Sequence, residues 1–266
     1  MSFYGSSFSF DGISCEEFGL MLYDFDNETQ GSSKFSKIKV YEDRIYRRPK
    51  SVFYGESYDD GLSFKLVFGA NEYAAIQHEP IDRQEMEAVS AWLTGHNSYK
   101  WLTIDQPDME GIRYRCVITE LQMVEVGFDK WAFSCEVHCD SPFAYTLPME
   151  FSYDVDGTLD VTLQGRSSMN QAYYPEVRIE MPSGGDASIV NHSDGDYTFS
   201  VDGVPASAGS LYLNGESGVM ASDSGDNVYP YFNFHFPRLV RGDNHLTITG
   251  KCKVVFTCQF PVNVGG

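Results

Sequence analysis

Lys130-Trp131-Ala132-Phe133-Ser134-Cys135-Glu136-Val137-His138-Cys139-Asp140 sets Trp131, Phe133, Cys135, Val137 and Cys139 at every second position. Successive side chains of a strand point to opposite faces, so this spacing places all five on one side of an extended chain. A helix would scatter them around its circumference. The same period recurs in Ile112, Tyr114, Cys116 and Ile118, in Leu62, Phe64, Leu66 and Phe68, and in Cys252, Val254, Phe256, Cys258 and Phe260. Leu159, Val161 and Leu163 make a shorter run. The chain reads as mainly β and mostly antiparallel.

One segment departs from that period. Asp82 followed by Glu85 forms a capping box, and Ile81 with Met86 fits a hydrophobic staple. Met86, Val89 and Leu93 then follow helical spacing, and Gly95 supplies a stop. A single short helix is predicted over 83–94. Turn signals at Ser141-Pro142, Asp156-Gly157, Gly184-Gly185, Asp194-Gly195, Asp202-Gly203, Asn214-Gly215 and Gly242-Asp243 become dense after residue 141. Helical periodicity is missing there, so the second half reads as an all-β sandwich of short strands. The expected division is an N-terminal domain over 1–140 and a C-terminal one over 141–266.

At 266 residues with 42% hydrophobic content, the chain can bury a core in each half. Its 38 acidic residues against 19 basic ones give a net charge of −19, which repels phosphate and argues against nucleic-acid binding. The densest basic patch, Arg47, Arg48 and Lys50 around Pro49, sits near Glu42 and Asp43 and reads as a solvated loop. Residues 1–10 offer no basic start followed by an apolar run, so a secretory signal is not expected. The six cysteines then read as reduced thiols of a cytosolic chain. No apolar stretch is long enough to span a bilayer.

The motifs that hint at chemistry are weak. Asp154-Val155-Asp156-Gly157-Thr158 resembles the first motif of haloacid-dehalogenase-type phosphatases, in which one Asp is the nucleophile and the next the general acid/base. That chemistry needs an α/β scaffold, which the following sequence does not offer, so Asp156-Gly157 is expected to turn a hairpin instead. Cys135 and Cys139 face away from His138 on a strand and read as core rather than metal ligands. Asp223, Asp226 and Asn227 match no calcium loop spacing. Arg241-Gly242-Asp243 is expected to be a turn opening a strand. No catalytic residue, cofactor site or metal site is assigned.

Phe8-Ser9-Phe10-Asp11-Gly12-Ile13 and Glu17-Phe18-Gly19-Leu20 look like the opening of the distal tail proteins of long-tailed bacteriophages (the siphophage Dit family). The strand Leu62–Phe68, the helix ending Ala91-Trp92-Leu93, and Tyr99-Lys100-Trp101-Leu102-Thr103-Ile104-Asp105 follow in the family's order. Asp140-Ser141-Pro142-Phe143-Ala144-Tyr145 resembles the close of its first half. Tyr174-Pro175-Glu176-Val177-Arg178-Ile179 is similar to the entry of its second. Pro237-Arg238-Leu239-Val240-Arg241-Gly242-Asp243-Asn244 resembles a late turn.

The resemblance implies a non-enzymatic, ring-forming N-terminal domain, β-barrel-like with one helix, and a galectin-like C-terminal β-sandwich. It implies a hexameric ring at the virion tail tip, assembled in the host cytoplasm. Such a ring joins the tail tube to tail-associated, baseplate or receptor-binding proteins. Its channel passes the tape-measure protein and then DNA as cargo, without a membrane partner. Within this reading the segment Lys34 to Tyr58 reaches to the next subunit, with Tyr41, Ile45, Tyr46, Phe53 and Tyr54 as anchors. The competing expectation is that these five are intradomain core. An alternative function is a carbohydrate-binding β-sandwich, in which Tyr229, Tyr231, Asn233 and His235 form the wet face of a strand backed by Phe232, Phe234 and Phe236.

Overall fold

The computed structural model describes residues 6–23, 38–58, 61–70, 81–126 and 129–264. By internal packing the chain divides into two compact units, Met1–Tyr145 with Asn263–Gly266, and Thr146–Val262.

In the first unit the period-two runs form an antiparallel sheet. Its strands are β1 (Ser7–Phe10), β2 (Ile13–Ser14), β3 (Leu20–Tyr23), β6 (Ser63–Ala70), β7 (Lys100–Asp105), β8 (Ile112–Val126) and β9 (Asp129–Cys139), ordered β2-β1-β7-β8-β9-β6-β3. The registers carry the sequence pattern into the core: Leu66 opposes Cys135, Phe68 opposes Phe133, and Ile118 opposes Val137. Leu22 N–H donates to the Ser6 carbonyl at 3.0 Å, so the strand at one end of this order returns beside the start of β1 and the sheet is curled. Two further strands, β4 (Ile38–Asp43) and β5 (Val52–Tyr58), pair only with each other among the described residues.

The helix α1 spans Arg83–Thr94, the range its capping box predicts. Glu85 N–H donates to Asp82 Oδ1 at 2.8 Å, and Asp82 N–H donates to Glu85 Oε2 at 2.9 Å. Val89, Trp92 and Leu93 form its buried stripe. Trp92 stacks on Phe18 and Phe8, and its indole N–H reaches the Phe10 carbonyl at 3.0 Å, which ties the helix to β1.

After the short β10 (Ala144–Thr146) comes the second unit: β11 (Met149–Gly165), β12 (Glu176–Glu180), β13 (Gly185–Asn191), β14 (Tyr197–Val204), β15 (Ser210–Asn214), β16 (Val219–Ser222) and β17 (Gly242–Cys258). The order is β14-β13-β17-β12-β15-β16, with β11 also on β17. One side of β17 serves two strands: Leu246–Gly250 pairs with β13, and Lys253–Thr257 pairs with β12. Both halves of the sheet contribute to one buried cluster, Ile189, Phe199, Val201 and Ile248 from one and Ile179, Leu211, Leu213 and Phe256 from the other.

Two turn expectations fail here. Asp156-Gly157 does not reverse the chain: β11 runs through it and pairs with β17 from Met149 to Gly165. Gly157 lies opposite Gly250, with φ of 105° and 143°, so two facing glycines sit within a continuous ribbon instead of closing a hairpin. Asp154 and Asp156 are exposed strand residues facing Lys253 and Lys251, far from the arrangement a phosphatase nucleophile needs. Asp202-Gly203 likewise lies inside β14, beside a register shift against β13. Glycine at positive φ lies within these strands, at a bulge in β14 and in unbroken register in β11, rather than at their ends.

Candidate functional site

The β4–β5 hairpin is the outstanding surface of the first unit. Tyr46 is 85% exposed, Tyr54 65%, Phe53 60%, Val40 50%, Tyr41 46% and Ile45 44%. The five anchors expected from sequence are therefore all on one hairpin, and none is core.

Local structure presents them. Ile38 to Tyr41 pair with Tyr58 to Gly55, and then the register shifts so that Glu42 faces Phe53. Tyr54 is the extra residue of this bulge, which re-aims the side chains beyond it. At the tip, Arg48 N–H donates to the Ile45 carbonyl at 3.0 Å, and Arg47 adopts the left-handed φ of 65°. The Arg47 guanidinium lies 5.3 Å from the Tyr46 ring centroid, and the Lys39 ammonium 5.6 Å from that of Tyr41. Ser51 donates to Glu42 Oε2 at 2.6 Å, and Ser57 to the Tyr41 hydroxyl at 3.1 Å. At the base, Tyr58 meets Phe143 edge-on at 4.8 Å. Residues 34–37 of the expected arm lie outside the described residues.

Charge sets the hairpin apart. Residues 38–58 hold five basic residues (Lys39, Arg44, Arg47, Arg48, Lys50) and three acidic ones (Glu42, Asp43, Glu56). The remainder of the chain holds 14 basic and 35 acidic residues, from totals of 19 and 38. A net-basic aromatic finger thus projects from a strongly acidic protein.

Two family profiles match the sequence. One, described as "Phage tail protein N-terminal domain", covers residues 3–141, and the other, "Phage tail C-terminal domain", covers 143–258. The chain belongs to this phage tail protein family. No curated protein matches it. The tail protein's fold is similar to the crystal structure of the Dit protein of phage SPP1, described there as a paradigm of the hub adsorption apparatus in phages infecting Gram-positive bacteria. Identity is 14%, coverage is 96% of this chain and 98% of that one, and the TM-score is 0.66. The baseplate of phage p2 in its activated conformation aligns at 8% identity over 90% of each chain, with a TM-score of 0.44. The tail protein thus has the fold of a distal tail protein.

The other sequence candidates fall elsewhere. Residues 229–236 do not make a strand with one wet face. Tyr229–Tyr231 is a 3-10 turn, Phe232 is buried, and Phe234 is 67% exposed at a left-handed φ of 62°. Asn233 and His235 turn back onto the Thr198 carbonyl, so the expected sugar-facing row is not assembled. Cys135 and Cys139 are buried together while His138 pairs with Ser63. Asp223 accepts hydrogen bonds from Ser210 and Tyr212, which hold its carboxyl below the usual range. No helix among the described residues is long and apolar enough to cross a membrane.

Proposed function

We propose that this tail protein is a ring-forming, non-enzymatic hub of the tail tip, and that the β4–β5 hairpin binds each subunit to the next. The exposed aromatic cluster of the hairpin carries this reading. Six large apolar side chains on an isolated two-stranded ribbon gain most from burial against a partner, and aromatic and arginine side chains dominate such contacts. The partner is a second copy of the chain. A closed ring needs one surface to meet a different one, and a basic finger meeting an otherwise acidic subunit is such a pair.

In this hub the ring is hexameric and connects the tail tube to baseplate, tail-associated or receptor-binding proteins. The second unit is a galectin-like sandwich. The channel passes the tape-measure protein and then DNA, and carboxylates along it repel the phosphates so that the genome does not adhere. Assembly in the host cytoplasm is consistent with six unpaired, buried thiols.

Light scattering and negative-stain imaging of the full chain test the proposal. The wild type gives a discrete ring, and Tyr46→Ala with Phe53→Ala gives monomer. Because both positions are exposed, the monomer's stability changes by no more than about 0.5 kcal/mol. An intact ring in the double variant removes the hairpin from the interface. A wild type that stays monomeric at every concentration removes the ring itself.

A further inference from the structure

The outward face of the second unit carries a groove of about 550 Å³ across β12, β15, β16 and the latter half of β17. Its volume falls in the range of small-ligand sites. The walls mix acidic, basic, amide and aromatic side chains. Glu176, Arg178 and Glu180 rise from alternate positions of β12, Tyr212 and Asn214 from β15, and Lys253 from β17.

These groups are held in place by one another. The Arg178 guanidinium lies 5.2 Å from the Tyr212 ring centroid, 3.6 Å from Glu180 and 3.4 Å from the Ser210 hydroxyl. Asn214 donates from its amide to Glu176 Oε1 at 3.2 Å. The Tyr212 hydroxyl is tethered to Asp223, whose carboxylate also accepts from Ser210 N–H. The Tyr212 ring nevertheless remains 41% exposed. An aromatic surface therefore stands beside a fork of donors and acceptors, all on rigid strands.

The chemistry of these walls selects the ligand. A lipid would need a continuous apolar lining, and charged side chains interrupt this one. A phosphate-rich polymer would need a positive groove, yet Glu150, Glu176 and Glu180 outnumber Arg178 and Lys253. A neutral sugar fits both features: its C–H face packs on an aromatic ring, and its hydroxyls both donate and accept. We propose that this groove binds uncharged saccharide units. The site is separate from the hairpin and does not depend on the hub reading.

The test uses the full-length protein on an array of neutral hexose and N-acetylhexosamine oligosaccharides alongside uronic-acid and phosphate-bearing ones. Hits are then titrated by saturation-transfer NMR. Neutral oligosaccharides are retained, Tyr212→Ala weakens them about tenfold, and Tyr212→Phe, which keeps the ring, binds nearly as the wild type does. Thermal melts of each variant separate lost binding from lost folding. The proposal is overturned by an array without neutral hits, by a preference for anionic glycans, or by undiminished affinity in a folded Tyr212→Ala protein. Particle mass measured on the same samples reports the ring independently, so either idea can fail alone.

Discussion

The six cysteines give a residue-scale account of how strand pattern becomes chemistry. All are buried and unpaired. Cys135, Cys139 and Cys258 sit on inward faces of β9 and β17, and burial pushes each thiol up to about 12. Burial also raises Cys15, Cys116 and Cys252. The thiolate is the reactive form, and an apolar surrounding disfavours it, so these groups remain protonated through neutral and mildly basic pH. A disulfide-exchange reagent at about pH 8 should label none of the six in the native protein and all of them in guanidinium chloride. Fast native labelling of even one would show that its strand opens, and quantitative thiol titration against time reads this directly. The aromatic anchors behave differently. Tyr41, Ile45, Tyr46, Phe53 and Tyr54 stand out in the sequence by their density in a charged segment, but their exposure does not. Residue type does not tell which surface covers a side chain.

Among the elements, α1 and β17 mark the two extremes of what local sequence reveals. The bounds of α1 follow from two side-chain caps at its start and a glycine at its end, all within the segment itself. The course of β11 through Asp156-Gly157 depends instead on Gly250, more than 80 residues later in the chain. A dipeptide that turns hairpins elsewhere was held straight by a partner strand across its whole length. Residues 231–236 misled for a related reason, because alternation without a neighbouring strand does not make a sheet. The groove was hidden too, since β12 and β15 become neighbours only in the folded sheet. The two facing glycines should differ in energy. A Cβ at Gly250 would lie 2.8 Å from the Asp186 carbonyl oxygen, whereas one at Gly157 meets nothing within 4 Å. Gly250→Ala is expected to cost about 2–3 kcal/mol and Gly157→Ala only its backbone strain of about 1 kcal/mol. Equal shifts of the urea midpoint would mean that β13 yields to the added methyl, and that close approach is not what requires glycine at 250.

For the whole molecule, the net charge of −19 and the basic hairpin would act in opposition during assembly of the proposed ring. Copies of so acidic a chain repel one another over distances set by the Debye length, about 30 Å at 0.01 M salt and about 8 Å at 0.15 M. In the proposed ring the hairpin would attract at contact, where Tyr46 and Phe53 would lose water and the arginines would approach carboxylates of the neighbour. Salt should relieve the first effect more than it weakens the second, because burial of aromatic surface is insensitive to screening. Arg47→Glu with Arg48→Glu adds to the repulsion and removes the local attraction, and although it also removes the Arg47 contact to the Tyr46 ring it keeps every aromatic anchor. That variant should be monomeric at about 0.02 M salt and regain the assembled mass by about 0.5 M. Tyr46→Ala with Phe53→Ala should stay monomeric throughout, since no screening restores lost apolar area. Sedimentation velocity across the salt series distinguishes the cases. The wild type should also show monomer and one larger species, because head-to-tail contacts that close leave no free ends. A ladder of intermediates would indicate an open filament. Rescue of the aromatic variant by salt would make charge, and not burial, the force that holds the subunits together.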